Sequence, residues 1–239
     1  MGKKPKPNYG VDTPWGITML SAVTVFFIFY IVLLPELFWK IVGFISLSVS
    51  FIGLLRILFG TTYSAKIKLR EKIIRIAQPR ENNAILDVGT GRGLLAIGFA
   101  KALKKCEVIG VDIWAQRYLS GNRIENAMQN ARLEKVSTKV EFKMSDVRQL
   151  PFPDKYFDVV VCRYVITNVR DGRLEALAEM VRVMKPNGRL VMAELGWPLF
   201  WSKRMMKETL GKLGISSIQF YPRGINGYIT YGERKSPAV

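Results

Sequence analysis

The stretch AILDVGTGRGLLAIGFAKALK, residues 84–104, decides the fold. Its apolar start, residues 84–89, predicts a buried strand, and LLAIGFAKALK, residues 94–104, predicts a helix. Between them lies the glycine-rich turn DVGTGRG, residues 87–93. Glycine lets a backbone turn sharply and approach a ligand closely. A strand that passes through such a turn into a helix is typical of nucleotide-binding loops in general.

The rest of the chain alternates between short apolar strands and helices. Further strands are predicted at 107–112, 140–146, 157–163, 188–195, 215–221 and 227–232, and further helices at 114–133, 173–184 and near 201–213. This order predicts an α/β fold, a doubly wound and mainly parallel seven-stranded sheet with helices on both faces. The turn signal PRGING indicates that the last two strands form an antiparallel hairpin. In such sheets the ligand lies beyond the carboxyl ends of the strands.

The spacing of the glycines excludes two common nucleotide sites. A dinucleotide fingerprint needs a glycine at position 94, where Leu94 stands, and the Lys-Ser/Thr pair of a phosphate-binding P-loop is absent. The chain has no histidine, which excludes His-based triads, a His general base and zinc sites of the Cys/His type. Cys106 and Cys162 suggest no disulfide framework. We therefore expect no metal.

Four motifs resemble those of the class I S-adenosylmethionine-dependent methyltransferases. ILDVGTGRG (85–93) resembles the first motif and GVDIW (110–114) the second. MSDVRQLPFPDKYFDVVV (144–161) resembles the third, and MVRVMKPNGRLVMAEL (180–195) resembles the run into the fifth strand. The resemblance extends over about residues 64–233 and is strongest to the branch that methylates quinones, lipids and small molecules. It implies a Rossmann-like methyltransferase fold with S-adenosylmethionine as the cofactor.

The resemblance also implies which residues bind the cofactor. Asp87 would hold the amino group of its methionine part, Asp112 the ribose hydroxyls and Asp146 the adenine amino group. Ile113 would pack against adenine, with the backbone of Val147 nearby. The implied set is Asp87, Gly89, Thr90, Gly91, Gly93, Asp112, Ile113, Asp146, Val147 and Arg163. The alternative for each aspartate is a helix cap or a turn residue.

The acceptor site is expected after the fourth and fifth strands, with Arg163, Tyr164, Asn168 and Glu194 as candidate catalytic residues. Arg163 would hold a phosphate or carboxylate of the substrate; alternatively, Arg163 and Tyr164 cap the sheet edge. Without histidine, a proton would pass to a carboxylate, a tyrosine or water. CRYVITN (162–168) replaces the Asn/Asp-Pro-Pro-aromatic motif that is frequent in enzymes methylating planar nitrogens, which argues against base N-methylation. Whether N, O, S or C accepts the methyl group stays open.

Two apolar runs precede this region. Residues 15–34 carry no charge and residues 37–55 carry one, Lys40. A 20-residue helix is about 30 Å long, the thickness of a bilayer core. The runs predict a two-helix transmembrane hairpin; the alternatives are a shallower hairpin in one leaflet and a hairpin buried in a soluble core. Basic residues on both sides place both termini and the catalytic domain in the cytoplasm, which makes this a multi-pass protein of the cell membrane.

The predicted organisation has three parts: a basic tail and hairpin at 1–60, a basic juxtamembrane helix at 61–80 and the methyltransferase domain at 81–239. The net charge of +17 favours anionic partners. We expect these to be the anionic headgroups of membrane lipids, and we expect no nucleic acid. The expected acceptor is an amphiphile, a lipid or an isoprenoid quinone. Alternatives are a soluble small molecule or protein acceptor, with the hairpin as an anchor only, and a non-catalytic cofactor-binding scaffold.

Overall fold

A computed structural model describes residues 5–12, 14–33, 36–60, 62–195, 202–223 and 227–236 of the chain. The helices are α1 (Pro14–Leu33), α2 (Leu37–Gly60), α3 (Tyr63–Ala77), α4 (Leu94–Ala102), α5 (Ile124–Leu133), α6 (Arg173–Arg182) and α7 (Lys203–Lys212). The strands are β1 (Ala84–Val88), β2 (Glu107–Asp112), β3 (Val140–Met144), β4 (Phe157–Arg163), β5 (Met184–Leu195), β6 (Ile215–Pro222) and β7 (Gly227–Arg234).

The seven strands form one sheet in the order β3-β2-β1-β4-β5-β7-β6. Strands β1 to β5 pair in parallel, whereas β7 runs antiparallel to both β5 and β6. This confirms the predicted Rossmann-like, mainly parallel sheet. The strand order reverses between β1 and β4, and the crevice outside such a switch point is where sheets of this kind bind ligands.

Each face of the sheet has its own apolar core, because successive residues of a strand point to opposite faces. Leu86 and Val160 belong to the core that includes α6 and α7. Their neighbours Ile85 and Val159 belong to the core that includes α3, α4 and α5. Every residue of β1 is buried, as expected for a central parallel strand covered on both faces.

The helices α1 and α2 pack against each other as a hairpin. A Cβ atom on Gly43 would lie 2.6 Å from Ile31 Cγ1, so the glycine permits a close approach of the two helices. Both helices also contribute to the wall of a cavity at the sheet, through Leu20 of α1 and Ile52 of α2. The outer surface of the hairpin carries exposed apolar side chains, among them Phe29.

The prediction of a transmembrane hairpin is wrong. Within the described ranges, none of the helices combines the length and the apolarity that crossing a bilayer requires. The prediction of a multi-pass cell-membrane protein with cytoplasmic termini, which was based on that hairpin, is wrong as well. The physical reason is that an apolar run predicts burial without saying what covers it. Here, part of the apolar surface of each helix is covered within the chain, by the other helix of the hairpin.

The basic helix α3 covers the sheet. It begins after Thr62, whose side chain accepts a hydrogen bond from Ala65 N at 3.3 Å, and it packs against α4 and β5. Lys66 and Arg70 are only 2% and 5% exposed. These two cations are therefore not free to contact lipid headgroups.

One predicted helix is shorter in the structure, and another is confirmed. Residues 114–133 were expected to be one helix, but the helix begins at Ile124. Trp114 has a positive φ of 49° and its indole Nε1 donates to Gly91 O at 3.1 Å, which directs residues 114–123 along the cavity as a series of turns. The segment near 201–213 is helical from Lys203 to Lys212, and residues 196–201 lie outside the described residues.

We predict that the stability of the fold depends on the buried face of α6. Met180 is fully buried in the core, whereas Leu174 on the same helix is 59% exposed. Met180→Ala should lower the free energy of unfolding by about 2–5 kcal/mol because it leaves a cavity. Leu174→Ala, the matched control, should change it by about 0.5 kcal/mol or less. Urea unfolding of both variants measures the difference, and equal losses would contradict this assignment of the core.

Candidate active site

A large cavity lies at the carboxyl ends of β1, β2 and β4. Its volume is about 1300 Å³, which exceeds the roughly 300–1,000 Å³ that is usual for small-molecule sites. The glycine-rich turn and Asp112 form one part of the wall, and the turns after β4 form another. The helical hairpin closes a further side with Leu20, Val49 and Ile52. The turn after β1 and an apolar surface therefore form walls of the same cavity.

The glycine-rich turn leaves no room for side chains. Gly89 has a φ of +66°, and a Cβ atom there would lie 2.2 Å from Val165 Cγ2. Gly91 has a φ of +56°, and its Cβ would lie 2.8 Å from Leu119 Cδ2. Both positions require glycine, because other residues rarely adopt positive φ and would collide with these neighbours. The resulting bare backbone faces the cavity, and Gly93 follows with a φ of +82° as the N-cap of α4.

Asp87 fixes this turn from within. It is 1% exposed, and its Oδ2 accepts hydrogen bonds from Thr90 Oγ1 at 2.7 Å and from Ala96 N at 2.9 Å. Burial raises the pKa of Asp87 to about 7, although the two hydrogen bonds oppose the rise. Thr90 is thereby a residue that holds the turn, and Asp87 also lines the cavity.

Asp112 ends β2 beside the glycine-rich turn. Its Oδ2 accepts from Gly91 N at 2.8 Å and its Oδ1 from Trp114 N at 2.6 Å. Burial raises its pKa, and these backbone hydrogen bonds oppose the rise. Oδ1 also accepts from Asn122 Nδ2 at 3.4 Å. A carboxylate has about four lone-pair sites, so Oδ2 retains acceptor capacity for a hydroxyl of a ribose.

The residues expected to bind adenine line the same cavity. Ile113 is 49% exposed, and Val147 is 8% exposed. Asp146 accepts hydrogen bonds from Arg148, including one from Nη2 at 2.5 Å, and these bonds lower its pKa. Because both side chains of this ion pair are about half exposed, it adds little to stability and leaves the carboxylate open to exchange partners.

Three of the four candidate acceptor residues line the cavity after β4, namely Arg163, Tyr164 and Asn168. Tyr164 has a φ of 60°, and Asn168 Nδ2 donates to its carbonyl oxygen at 2.6 Å, which stabilises the turn. The guanidinium of Arg163 lies over the Tyr164 ring, 4.4 Å from its centroid.

Glu194, the fourth candidate, has a different position. It is 2% exposed and is absent from the cavity wall. Its carboxylate accepts hydrogen bonds from the backbone N–H groups of Val165, Ile166 and Thr167, and from the Thr167 hydroxyl at 2.6 Å. Burial raises its pKa, and the hydrogen bonds oppose the rise. Glu194 therefore holds the turn that follows β4.

An N-terminal segment that no sequence motif indicated crosses the site. Asp12 accepts hydrogen bonds from Arg163 Nη2 at 2.5 Å, Arg163 Nη1 at 3.2 Å and Lys66 Nζ at 3.1 Å. Lys66 Nζ also donates to the carbonyl oxygens of Tyr9 and Gly10 at 2.9 Å and 2.8 Å. No local sequence motif indicates a contact between residues this far apart in the sequence.

The charges of this segment are mutually dependent. Burial favours the neutral form of Asp12, but the positive charges of Arg163 and Lys66 outweigh burial and hold its pKa below the ordinary value. Burial lowers the pKa of Lys66 to about 8, against the opposing effect of Asp12. At neutral pH Asp12 is therefore an ionised partner of two cations and is poorly suited to accept a proton.

Comparisons with known proteins agree with this geometry. Residues 86–192 match the family model of a methyltransferase domain. The chain is 36% identical over 127 residues to a ubiquinone/menaquinone biosynthesis C-methyltransferase, UbiE, of Stutzerimonas stutzeri, covering 52% of this chain and 46% of that protein. It is 34% identical over 122 residues to an uncharacterized methyltransferase, YcgJ, of Bacillus subtilis, covering 51% of this chain and 44% of that protein. The chain thus spans less than half the length of these relatives.

A solved structure shares the fold. It is phosphoethanolamine N-methyltransferase 2 of Haemonchus contortus in complex with S-adenosyl-L-methionine, with a TM-score of 0.59 and 15% identity over 71% of this chain and 53% of that one. The bare glycine backbone and the carboxylate of Asp112 fit this cofactor, and the family match falls on the same residues. Residues 86–192 are therefore similar to a methyltransferase domain, and the site that they form fits S-adenosylmethionine as its cofactor.

Proposed function

We propose that the protein transfers a methyl group from S-adenosylmethionine to an amphiphilic acceptor, a lipid or an isoprenoid quinone. The observation that carries this proposal is the cavity itself. The glycine-rich turn and Asp112 lie in the same space as the apolar side chains of Leu20, Val49 and Ile52. A cofactor with charged and hydroxyl groups uses the first wall, and the apolar wall favours a hydrocarbon part of the acceptor.

The size of the cavity supports two ligands. A volume of about 1300 Å³ is more than one small molecule needs. Val49 and Ile52 are 66% and 48% exposed, so they have apolar surface available to bury. Covering such surface gains about 25 cal/mol per Å², which makes an acceptor tail a source of binding energy.

Methyl transfer requires little of the protein beyond placing the two reactants. Bound S-adenosylmethionine supplies an activated methyl group, and transfer proceeds by in-line displacement, so the protein mainly orients the two reactants and excludes water. Gly89, Asp87 and Asp112 would hold the cofactor. Arg163, Tyr164 and Asn168 lie where the acceptor would enter, and the hairpin would cover its apolar part.

The relatives support this choice of methyl acceptor only through their similarity to the methyltransferase segment of the chain. The matched protein from Stutzerimonas stutzeri is named a ubiquinone/menaquinone biosynthesis C-methyltransferase, and a demethylmenaquinone methyltransferase of Deinococcus radiodurans is 36% identical over 114 residues. An isoprenoid quinone combines a polar ring with a long apolar tail, the two parts that the two walls of the cavity would favour.

The first prediction concerns the cofactor. Asp112→Asn keeps the shape of the side chain but removes its charge, and hydrogen bonds to charged groups are worth about 1.5–3 kcal/mol. We expect the affinity for S-adenosylmethionine to fall at least about tenfold. Asp154→Asn, at a carboxylate 66% exposed and outside the cavity, is the control and should leave the affinity unchanged. Calorimetry on the full chain measures both, and an unchanged affinity for Asp112→Asn would remove this residue from the site.

The second prediction concerns the acceptor. Ile52→Gln places an amide in the apolar wall, whereas Ile45→Gln changes a residue of the same helix that is 61% exposed and does not line the cavity. Losing the burial of about one apolar side chain costs about 1.5 kcal/mol, so KM for a tailed acceptor should rise about tenfold in Ile52→Gln only. Cofactor affinity should be the same in both variants.

The assay uses a hydroquinone with an isoprenoid tail and its tail-free analogue, with radiolabelled S-adenosylmethionine. The wild type should favour the tailed compound in kcat/KM, and Ile52→Gln should reduce that preference. Equal use of the two compounds by the wild type would mean that the apolar wall does not bind the acceptor.

A further inference from the structure

We propose that Arg223 and Arg163 together bind an anionic group of the methyl acceptor, a carboxylate or a phosphate. The proposal rests on the proposed function and selects between its two acceptor classes: it assigns part of the same cavity to the polar end of an anionic lipid, because a quinone ring carries neither a carboxylate nor a phosphate. It adds Arg223, to which neither the sequence motifs nor the matched family segment, which ends at residue 192, gives a role.

The two arginines are brought together by one aromatic ring. Arg223 directly follows β6 and lines the cavity, as Arg163 does. Its guanidinium carbon lies 4.2 Å from the centroid of Tyr164, and that of Arg163 lies 4.4 Å from the same centroid. Contact with the ring stabilises each cation and fixes the plane of its guanidinium. Two like charges are thereby held near each other at the wall of a cavity.

Arg223 has no anionic partner among the described residues. None of the ion pairs among the described residues includes it, and its buried Nη1 has no hydrogen-bond partner among them. Burial, with the charge of Arg163 adding to it, lowers the pKa of Arg223 to about 9, which leaves the group a cation at neutral pH. A buried donor without a partner is costly, and an oxyanion in the cavity would remove that cost.

The other charges of this region do not neutralise it. Asp12 engages Arg163 through both Nη atoms and also engages Lys66, so one carboxylate serves two cations. Arg163 Nε, like Arg223 Nη1, is buried without a hydrogen-bond partner among the described residues. Three cations thus face one carboxylate, and two of their guanidinium nitrogens have no hydrogen-bond partner among the described residues. Planar guanidinium groups match the geometry of carboxylate and phosphate oxygens.

The position of Arg223 points to the acceptor as the source of the anion. Arg223 lies between β6 and β7, and β7 is separated from β1 by β4 and β5 in the sheet. The backbone of Arg223 therefore lies three strand spacings, or about 14 Å, from β1, and its guanidinium extends from there to the Tyr164 ring after β4. The glycine-rich turn and Asp112, which would hold the cofactor, follow β1 and β2 on the other side of the switch point. The carboxylate of the cofactor is the competing source, and the experiment below separates the two.

The test measures binding of octanoate and of the uncharged octan-1-ol to the full chain saturated with S-adenosylhomocysteine, by calorimetry. Wild type should bind octanoate more tightly than octan-1-ol. Arg223→Gln should weaken octanoate about tenfold and leave octan-1-ol unchanged, whereas Arg223→Lys, which keeps the charge, should lie between the two. Arg132→Gln removes an equal charge from an exposed position on α5 and should behave as wild type.

Two results would overturn the proposal. Octanoate binding that is the same in wild type and Arg223→Gln would show that this arginine binds no anion. A loss of S-adenosylmethionine affinity in Arg223→Gln, together with competition between octanoate and the cofactor, would assign the anion to the cofactor instead. Neither readout needs turnover, so a failure here is distinct from a failure of the methyl-transfer assay with tailed hydroquinones.

Discussion

The tight turn between β1 and α4 is the constraint on which the rest of the site depends. Two positions of this turn, Gly89 and Gly91, cannot carry a side chain, because Val165 and Leu119 occupy the space that Cβ atoms there would need. Asp87 holds the turn from inside through Thr90 and Ala96. The backbone that results is rigid and bare, and it sets where a cofactor can lie relative to every other element.

The N-terminal segment and the hairpin complete a domain that has little covering of its own. Asp12 joins that segment to β4 through Arg163 and to α3 through Lys66, so elements far apart in sequence meet at one carboxylate. The chain then continues into α1 and returns along α2, whose apolar side chains form one wall of the cavity. Cofactor surface, cationic surface and apolar surface are therefore adjacent, an arrangement suited to an amphiphile.

Much of the fold followed from local patterns, and the failures have a common physical cause. The strands and the glycine-rich turn depend on short-range periodicity and backbone requirements, which a sequence displays directly. Whether the hairpin spans a membrane depends on what covers its apolar surface, which a local pattern does not show. The roles of Asp12, Lys66 and Arg223 depend on contacts between distant parts of the chain. Glu194 illustrates the same limit, because its place at a strand end suggested substrate contact while its carboxylate is used by the following turn.

The central claim is that the cavity receives an amphiphilic methyl acceptor. The most direct test incubates the full chain with S-adenosylmethionine labelled on its methyl group and, in parallel, with the organic and the aqueous fractions of a whole-cell extract. We expect label in an extractable amphiphile from the organic fraction, at a rate well above that for any aqueous component. Label confined to water-soluble molecules or to protein would contradict it.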